Sequence, residues 1–256
     1  MLKHKTLSWQ TNKIIVEERK SEKFVIKKFD GIKPTLLFAL YNLGCFLNNK
    51  HGEKDYYFPS IKERVENEVK ARKVLSSLGF KVPKIYWHNE RSICMEYLEG
   101  ENLSPFYKNK KIELVKKISK EIGRQLRKIH DSGFALIDCR TENLYVNKNN
   151  EIYYIDLEFF TKASPFRKKC DIVTYDATVL NLEPKRCKAI IEAFHDGYGK
   201  NLESDEIVSI ILFSLLYPFS LKENFNELAH RSFNLYMLWN KFNSKKKVDS
   251  IKILSQ

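Results

Sequence analysis

Two patterns of hydrophobic and polar residues divide the chain at about residue 98. Before that point, short runs rich in β-branched and aromatic residues predict strands and hairpins, namely KIIVEE, KFVIKKF, KVPKIYWHNE and RSICMEYLEG. Later, apolar residues recur every three or four positions from Ile112 to Ile129, which predicts a long amphipathic helix ending near Gly133. Further helices are predicted in KRCKAIIEAFHDGY and DEIVSIILFSLLY. The chain therefore combines a strand-rich first part with a mostly helical second part.

Between the predicted helices, residues 134–157 follow a pattern of strand, loop and strand. Asp138 and Asp156 each follow an apolar run, FALI and IYYI, and Asn143 lies five residues after Asp138. We expect these three side chains to converge at the rim of a small sheet. Hard oxygen ligands there could bind Mg²⁺ while the Asp138 carboxylate accepts a proton from a hydroxyl. Phosphoryl transfer needs such an arrangement, because it depends on positioning and charge neutralisation.

Composition and charge narrow the function without deciding it. With 256 residues, 43% of them hydrophobic, the chain can bury a sizeable core. No apolar run reaches the roughly eighteen residues of a membrane span, and the start lacks a secretory core, so we expect a cytoplasmic protein. The five cysteines are scattered without a CxxC pair, which indicates neither a disulfide framework nor a zinc site. A net charge of +13 favours anionic partners; nucleic acid is disfavoured, without being excluded, because no recognised motif accompanies the charge.

The ordered series of motifs resembles the protein-kinase-like superfamily. Asp138 and Asn143 match the spacing of the HRDxxxxN catalytic loop, and Asp156 matches the DFG aspartate. The resemblance extends from about residue 10 to about residue 200. It implies an α+β, bilobal protein-kinase-like fold, with a small β-rich N-terminal lobe at 1–98 and a mostly helical C-terminal lobe, with a helical extension, at 99–256.

The resemblance also implies a nucleotide site in the first lobe. Lys27 in FVIKKF matches the ATP-anchoring lysine, and Glu68 matches the helix-borne glutamate that pairs with it. The segment ICMEYLEG is similar to the fifth strand and hinge, so the backbone from Glu96 to Leu98 would meet the adenine. The implied cofactors are ATP and Mg²⁺, with Lys27 orienting phosphates.

Two neighbours compete for these roles, and the second lobe carries the remaining ones. Lys28 is an alternative to Lys27, because successive strand residues face opposite sides. Glu66 is an alternative to Glu68 on the same helix. In the second lobe the resemblance implies that Asp138 is the catalytic base, whereas Asn143 and Asp156 hold the metal. His130 is interpreted as a structural histidine.

Departures from the superfamily pattern point to an atypical branch. No glycine occurs before Gly31, so the glycine-rich phosphate loop is missing, and Leu157 and Glu158 replace the Phe-Gly that usually follows the metal-binding aspartate. No APE element follows Asp156. The chain resembles kinases of lipopolysaccharide core sugars (Kdo and heptose kinases) and the small atypical kinase of the tRNA threonylcarbamoylation complex. Asp171 resembles an aspartate that such small kinases carry after the metal loop.

These resemblances leave three functions open. The first is transfer of the ATP γ-phosphate to a hydroxyl of a lipopolysaccharide core sugar or another small molecule. The others are an atypical serine/threonine kinase or ATPase, and a non-catalytic pseudokinase that binds a protein partner. The apolar segment 34–47 is compatible with contact to a lipid-linked substrate or the inner membrane face, and with a core helix. The role of residues 201–256 and the oligomeric state are left open.

Overall fold

The computed structural model describes residues 12–19, 22–29, 59–216 and 224–254. The apolar segment 34–47 and the WQT stretch expected in place of a glycine-rich loop, residues 9–11, lie outside these ranges. The interpretations placed on them therefore remain predictions.

An antiparallel sheet forms the first part of the structure. Its strands, in chain order, are β1 (Asn12–Arg19), β2 (Glu22–Phe29), β3 (Ile85–His88) and β4 (Ser92–Glu96). Their spatial order is β1-β2-β4-β3, so β2 is a central strand between β1 and β4. The register pairs Lys27 with Ile14 on one side and with Ile93 on the other.

Helix α1 (Ile61–Ser77) carries an unusual inward face. Ser60 caps its first turn, where Ser60 and Glu63 form a reciprocal capping box. The buried positions mix apolar and charged residues, namely Arg64, Val65, Glu68, Ala71, Arg72 and Leu75. Val65 belongs to a small apolar cluster with Phe29, Ile93 and Met95 of the sheet. The charged residues on this face supply much of the candidate site.

The second part is mostly helical, with short strands at its junction with the sheet. The helices are α2 (Leu103–Asn109), α3 (Ile112–Asp131), α4 (Pro165–Thr178), α5 (Pro184–Tyr198), α6 (Ser204–Leu216) and α7 (Phe225–Leu254). The strands are β5 (Gly100–Asn102), β6 (Phe134–Ala135), β7 (Leu144–Asn147), β8 (Ile152–Tyr154) and β9 (Thr161–Lys162). Strands β5, β7 and β8 form one sheet, and β6 pairs with β9.

The α+β, bilobal kinase-like fold predicted from the sequence is confirmed. Helix α3 ends at Asp131, close to the expected stop at Gly133, and α5 and α6 coincide with the two other predicted helices within two residues. The assignment of residues 1–98 and 99–256 to separate lobes stays a prediction.

The predicted strand FALID is wrong beyond its first two residues. Strand β6 ends at Ala135, and the Leu136 amide then donates to the Asp171 side chain instead of a strand partner. Ile137 has a φ of 67°, a left-handed conformation that a strand cannot contain. The chain therefore turns before it reaches Asp138.

Helix α7 has a partly exposed apolar surface. Its exposed apolar residues include Phe225, Leu228, Phe233, Tyr236, Met237 and Trp239. Asn234 of the same helix is buried and donates to the carbonyls of Leu180 and Leu182, which attaches the helix to the segment after α4. Within the described ranges, no helix has the length and apolar character needed to cross a membrane.

Candidate active site

Lys27 is the centre of a buried ion-pair cluster. The alternation of β2 turns Lys27 inward, where it is 3% exposed, whereas Lys28 is exposed. The Lys27 ammonium lies 2.6 Å from a carboxylate oxygen of Glu68 and 2.5 Å from one of Asp156. Glu66, the alternative to Glu68, is exposed. The structure thus brings together Lys27, Glu68 and Asp156, as the superfamily resemblance implied.

Arg72 completes the charge balance behind Glu68. Its guanidinium lies 2.5 Å from the second Glu68 oxygen and also donates to the carbonyl of Pro83. Burial alone would raise the pKa of Glu68, but Lys27 and Arg72 reverse this effect and hold the pKa below its usual range. Burial would likewise lower the pKa of Lys27, but the surrounding carboxylates hold it above the ordinary value. The pair is therefore fully charged at neutral pH.

Asp156 is the partly exposed carboxylate of this cluster. Its side chain is 28% exposed, and its φ of 53° places the backbone in the left-handed region. Burial and the neighbouring carboxylates raise the pKa of Asp156 to about 7, although Lys27 opposes the shift. A cation that binds this carboxylate near neutral pH would compete with a proton.

Asp138 and Asn143 lie in the segment between β6 and β7. Arg140 holds the Asp138 carboxylate with two hydrogen bonds, of 2.5 and 2.8 Å. The Asn143 amide donates to the Asp138 carbonyl, and the Ile155 amide donates to the Asn143 carbonyl, each at 3.0 Å. These bonds connect the loop of Asp138 to the residue just before Asp156.

Asp171 of α4 binds the segment just before Asp138. Its carboxylate accepts a hydrogen bond from the Leu136 amide at 2.9 Å and lies 3.0 Å from His130 Nε2. The other ring nitrogen of His130 lies 2.7 Å from the Tyr198 hydroxyl, so the imidazole is buried with partners on both sides. This placement fits the structural interpretation of His130, and it gives Asp171 a positioning role for the loop.

The predicted hinge residues lie at and just after the end of β4. The Glu96 amide donates a hydrogen bond to the carbonyl of Lys84, and the Glu96 side chain accepts one from the Lys84 amide. The Leu98 carbonyl accepts from the Tyr145 hydroxyl at 3.1 Å. The roles of Glu96 and Leu98 in holding adenine stay predictions.

The sequence drew attention to Glu158 but not to its partners Asn12 and Arg64, with which it forms a second polar cluster. Arg64 and Glu158 are each 1% exposed, and the Arg64 guanidinium lies 2.9 Å from Glu158 Oε2. Asn12 donates to the same oxygen at 2.9 Å and accepts from Arg64 at 2.8 Å. A weak signal existed, because Arg64 and Glu68 are four residues apart and so share one helix face.

The oxygen donors of the site differ in whether they could hold a magnesium ion. Glu68, Asp156 and Glu158 bring carboxylate oxygens within 4.8 Å of one another, but the Lys27 ammonium lies within 3.7 Å of all three and supplies the cation there. Asp156 is different because part of its carboxylate remains exposed. Together with the amide oxygen of Asn143, it offers the hard ligands that Mg²⁺ prefers.

Fold and site together define a protein of the kinase-like class, in its atypical branch. A comparison with family models agrees, since residues 54–189 match the ABC1 atypical kinase-like domain. That match covers just over half of the 256 residues, and the chain belongs to this family.

Individual relatives point to one group of atypical kinases. The chain is 31% identical over 111 residues to the KEOPS complex subunit Bud32 of Pyrococcus abyssi, covering 41% of this chain and 50% of that protein. It is 25% identical over 183 residues to the EKC/KEOPS complex subunit bud32 of Dictyostelium discoideum, covering 66% and 72%. It is 28% identical over 148 residues to the probable serine/threonine-protein kinase BUD32 homolog of Archaeoglobus fulgidus, covering 57% and 70%.

These comparisons confirm the predicted resemblance to the atypical protein-kinase-like superfamily. They give no support to the resemblance to lipopolysaccharide core kinases, or to contact with a membrane or a lipid-linked substrate. The match spans half the length of the Pyrococcus relative.

Proposed function

We propose that the protein binds Mg-ATP between its two parts and transfers the γ-phosphoryl group to an acceptor oxygen. The observation that carries this proposal is the convergence of the Lys27–Glu68 pair with Asp156, at 2.6 and 2.5 Å from one ammonium, beside a loop that presents Asp138 and Asn143. Phosphoryl transfer requires positioned positive charge for the phosphates and a carboxylate near the acceptor.

Each residue has a role that its surroundings permit. Lys27, kept charged by the carboxylates around it, orients the α- and β-phosphates. Asn143 and Asp156 hold Mg²⁺, which when bound neutralises charge on the phosphates. Asp138 aligns the acceptor hydroxyl and accepts its proton. The backbone from Glu96 to Leu98 borders the adenine.

Arg140 binds the carboxylate of Asp138, the proposed base. Its guanidinium occupies both oxygens of the Asp138 carboxylate, at 2.5 and 2.8 Å. Each carboxylate oxygen keeps a second lone-pair site, so Asp138 can still receive a hydrogen bond from an acceptor hydroxyl while Arg140 holds its orientation.

The acceptor is best sought among protein hydroxyls and water. This inference rests on the relatives, two of which are named as subunits of a complex and one as a probable serine/threonine-protein kinase. A sugar acceptor was favoured by the sequence and has gained no support. ATP labelled on the γ-phosphate distinguishes the cases, because a kinase transfers label to protein whereas an ATPase releases it as inorganic phosphate.

The substitution Asp138→Asn tests the proposed role of the base. It preserves the size of the side chain but removes its ability to accept a proton, so we expect a loss of about 10²–10⁴-fold in turnover with ATP affinity nearly unchanged. ADP release and equilibrium ATP binding measure the two quantities. Asp131→Asn, at an exposed aspartate that ends α3, is the matched control. A parallel loss of affinity and turnover in Asp138→Asn would argue against the role.

A further inference from the structure

The buried cluster of Asn12, Arg64 and Glu158 joins three segments that meet at the site. Asn12 begins β1, Arg64 lies in the first turn of α1, and Glu158 follows Asp156 by two residues. Glu158 Oε2 accepts from Asn12 at 2.9 Å and from two nitrogens of Arg64 at 2.9 and 3.2 Å. Every polar contact in this cluster crosses between elements that are distant in sequence.

A buried ion pair of this kind contributes little to the stability of the fold. Removing an arginine and a glutamate from water costs several kcal/mol each, and apolar residues of similar size often serve a core as well or better. What the ion pair provides is a fixed relative position of its partners, because the two side chains must stay in contact once they are buried. The question is which functional residue that position serves.

Asp156 is the residue that depends most on this position. Its left-handed φ of 53° is uncommon for a residue other than glycine, and it persists where the surroundings hold the chain in place. Glu158 anchors the loop just after Asp156 by its side chain, and its carbonyl also accepts from Asn67 of α1 at 3.3 Å. The DFG motif has glycine at this position, which offers no side chain for such an anchor.

The same helix also holds the lysine on the other side of the site. Arg64 and Glu68 are one turn apart on the buried face of α1, and Glu68 binds Lys27 at 2.6 Å. Helix α1 thus fixes the positions of both Lys27, through Glu68, and the loop after Asp156, through Arg64.

We propose that Arg64 is a positioning residue for the metal site: through Glu158 it fixes the loop of Asp156 against α1 before any ligand binds. Asn12 extends the attachment to the first described strand. The inference rests on the proposed function, because it assigns Asp156 to Mg²⁺. It predicts that α1 and the metal loop are held together in the ligand-free protein.

The first test measures the loop without nucleotide or metal. The Phe160 amide, which donates to the Leu157 carbonyl, reports on the loop by hydrogen exchange. In Arg64→Met, we expect amides of residues 157–160 to exchange at least about tenfold faster. Lys62 is an exposed residue of the same helix and pairs with Glu90, so Lys62→Met should leave the exchange rates of residues 157–160 unchanged.

The second test measures the Mg²⁺ concentration that half-saturates the magnesium-dependent part of ATP binding. We expect this concentration to rise about 10–100-fold in Arg64→Met, the range typical when support for a metal ligand is lost. ATP affinity without Mg²⁺ should change little, since Lys27 and Glu68 remain. Arg64→Lys keeps the charge without the planar fork and should give an intermediate value.

A double variant separates positioning from stability. Arg64→Met leaves the buried Glu158 with only the more distant Lys27 ammonium, at 3.7 Å, but Arg64→Met with Glu158→Met removes both charges of the pair and should regain most of the lost stability. If Arg64 acts through position, the double variant still needs more Mg²⁺ than the wild type. Recovery of the wild-type Mg²⁺ requirement together with stability would overturn the proposal.

The outcomes also separate this inference from the proposed function. If the wild-type protein shows no magnesium-dependent ATP binding, both the proposed function and the role of Arg64 are wrong. Normal wild-type binding, with Arg64→Met unchanged in exchange rates and within about twofold in its Mg²⁺ requirement, would remove only the role of Arg64.

Discussion

At the scale of single residues, the site is a balance of buried charges. Lys27, Arg64 and Arg72 face Glu68, Asp156 and Glu158, so three cations meet three carboxylates among the described residues. Because burial makes an unpaired charge expensive, each member of this set depends on its partners. Glu68 is fully buried and pairs with two cations, Lys27 and Arg72, so its loss would affect both of them.

The substitution Glu68→Gln should therefore destabilise the fold strongly. It leaves Arg72 without a carboxylate and weakens the hold on Lys27, so we expect a loss of about 3 kcal/mol or more in the free energy of unfolding. Urea unfolding gives this quantity. Glu66→Gln, an exposed neighbour on the same helix, should change it by less than about 0.5 kcal/mol. Similar small effects at both positions would contradict the charge balance.

The sequence could identify part of this residue set. The inward position of Lys27 is consistent with strand alternation, and Glu68 lies on the buried face of a helix, so both follow from local periodicity and the superfamily motifs. The contacts of Glu158 could not be predicted this way. Its partners Arg64 and Asn12 lie 94 and 146 positions away, and no periodic pattern links residues so distant.

At the scale of elements, the second part depends on a close crossing of α3 and α5. A Cβ added at Gly123 of α3 would meet the backbone of Phe194 and Tyr198, and one added at Gly197 of α5 would meet the Lys120 carbonyl. Small residues at both positions let the two backbones touch. This crossing also places His130, at the end of α3, against Asp171 and Tyr198.

Gly197→Ala should destabilise the protein, although alanine is normally the better helix former. In an open helix this exchange would stabilise by about 0.5–1 kcal/mol. Here the added methyl overlaps backbone that cannot move aside, so we expect a net loss of about 1–3 kcal/mol. Thermal or urea unfolding measures it, with Lys117→Ala on the exposed face of α3 as the control. A stabilising Gly197→Ala would show that the helices are further apart.

Elements were predictable where one face is apolar and the other polar. Helix α3 has this pattern and was predicted closely, whereas α4 was missed. Buried positions of α4 include Asp171, Thr174, Asp176 and Thr178, so its inward face does not stand out as hydrophobic. Two of these residues bind the loop of Asp138, since the Cys139 amide donates to Thr174 and the Thr141 amide donates to Thr178, whereas Asp176 pairs with His195.

At the scale of the whole molecule, the two parts meet through charged contacts at the candidate site. Lys27 with Asp156, and Arg64 with Glu158, connect the sheet and its helix to the metal loop. The bilobal fold could be predicted from the order of the motifs, because each motif fixes a distinct element of that fold. The acceptor could not, since folds of this class host many activities.

Ligand binding between the two parts should stabilise the whole molecule. ATP at about 100 times its dissociation constant would add about 2.7 kcal/mol to the free energy of unfolding. That gain should depend on Mg²⁺, because in the proposed site Asp156 would contact the nucleotide through the metal. The effect reports on the intact protein and needs no knowledge of the acceptor.

The most direct measurement is a titration of the protein with ATP, with and without Mg²⁺, that follows thermal stability and ADP release in the same samples. We predict a rise in melting temperature that requires Mg²⁺, accompanied by slow ADP release, and loss of the magnesium-dependent part in Asp156→Ala. A melting temperature that ATP leaves unchanged with Mg²⁺ present, or that rises equally without Mg²⁺ and in Asp156→Ala, would contradict a magnesium-nucleotide site at this position.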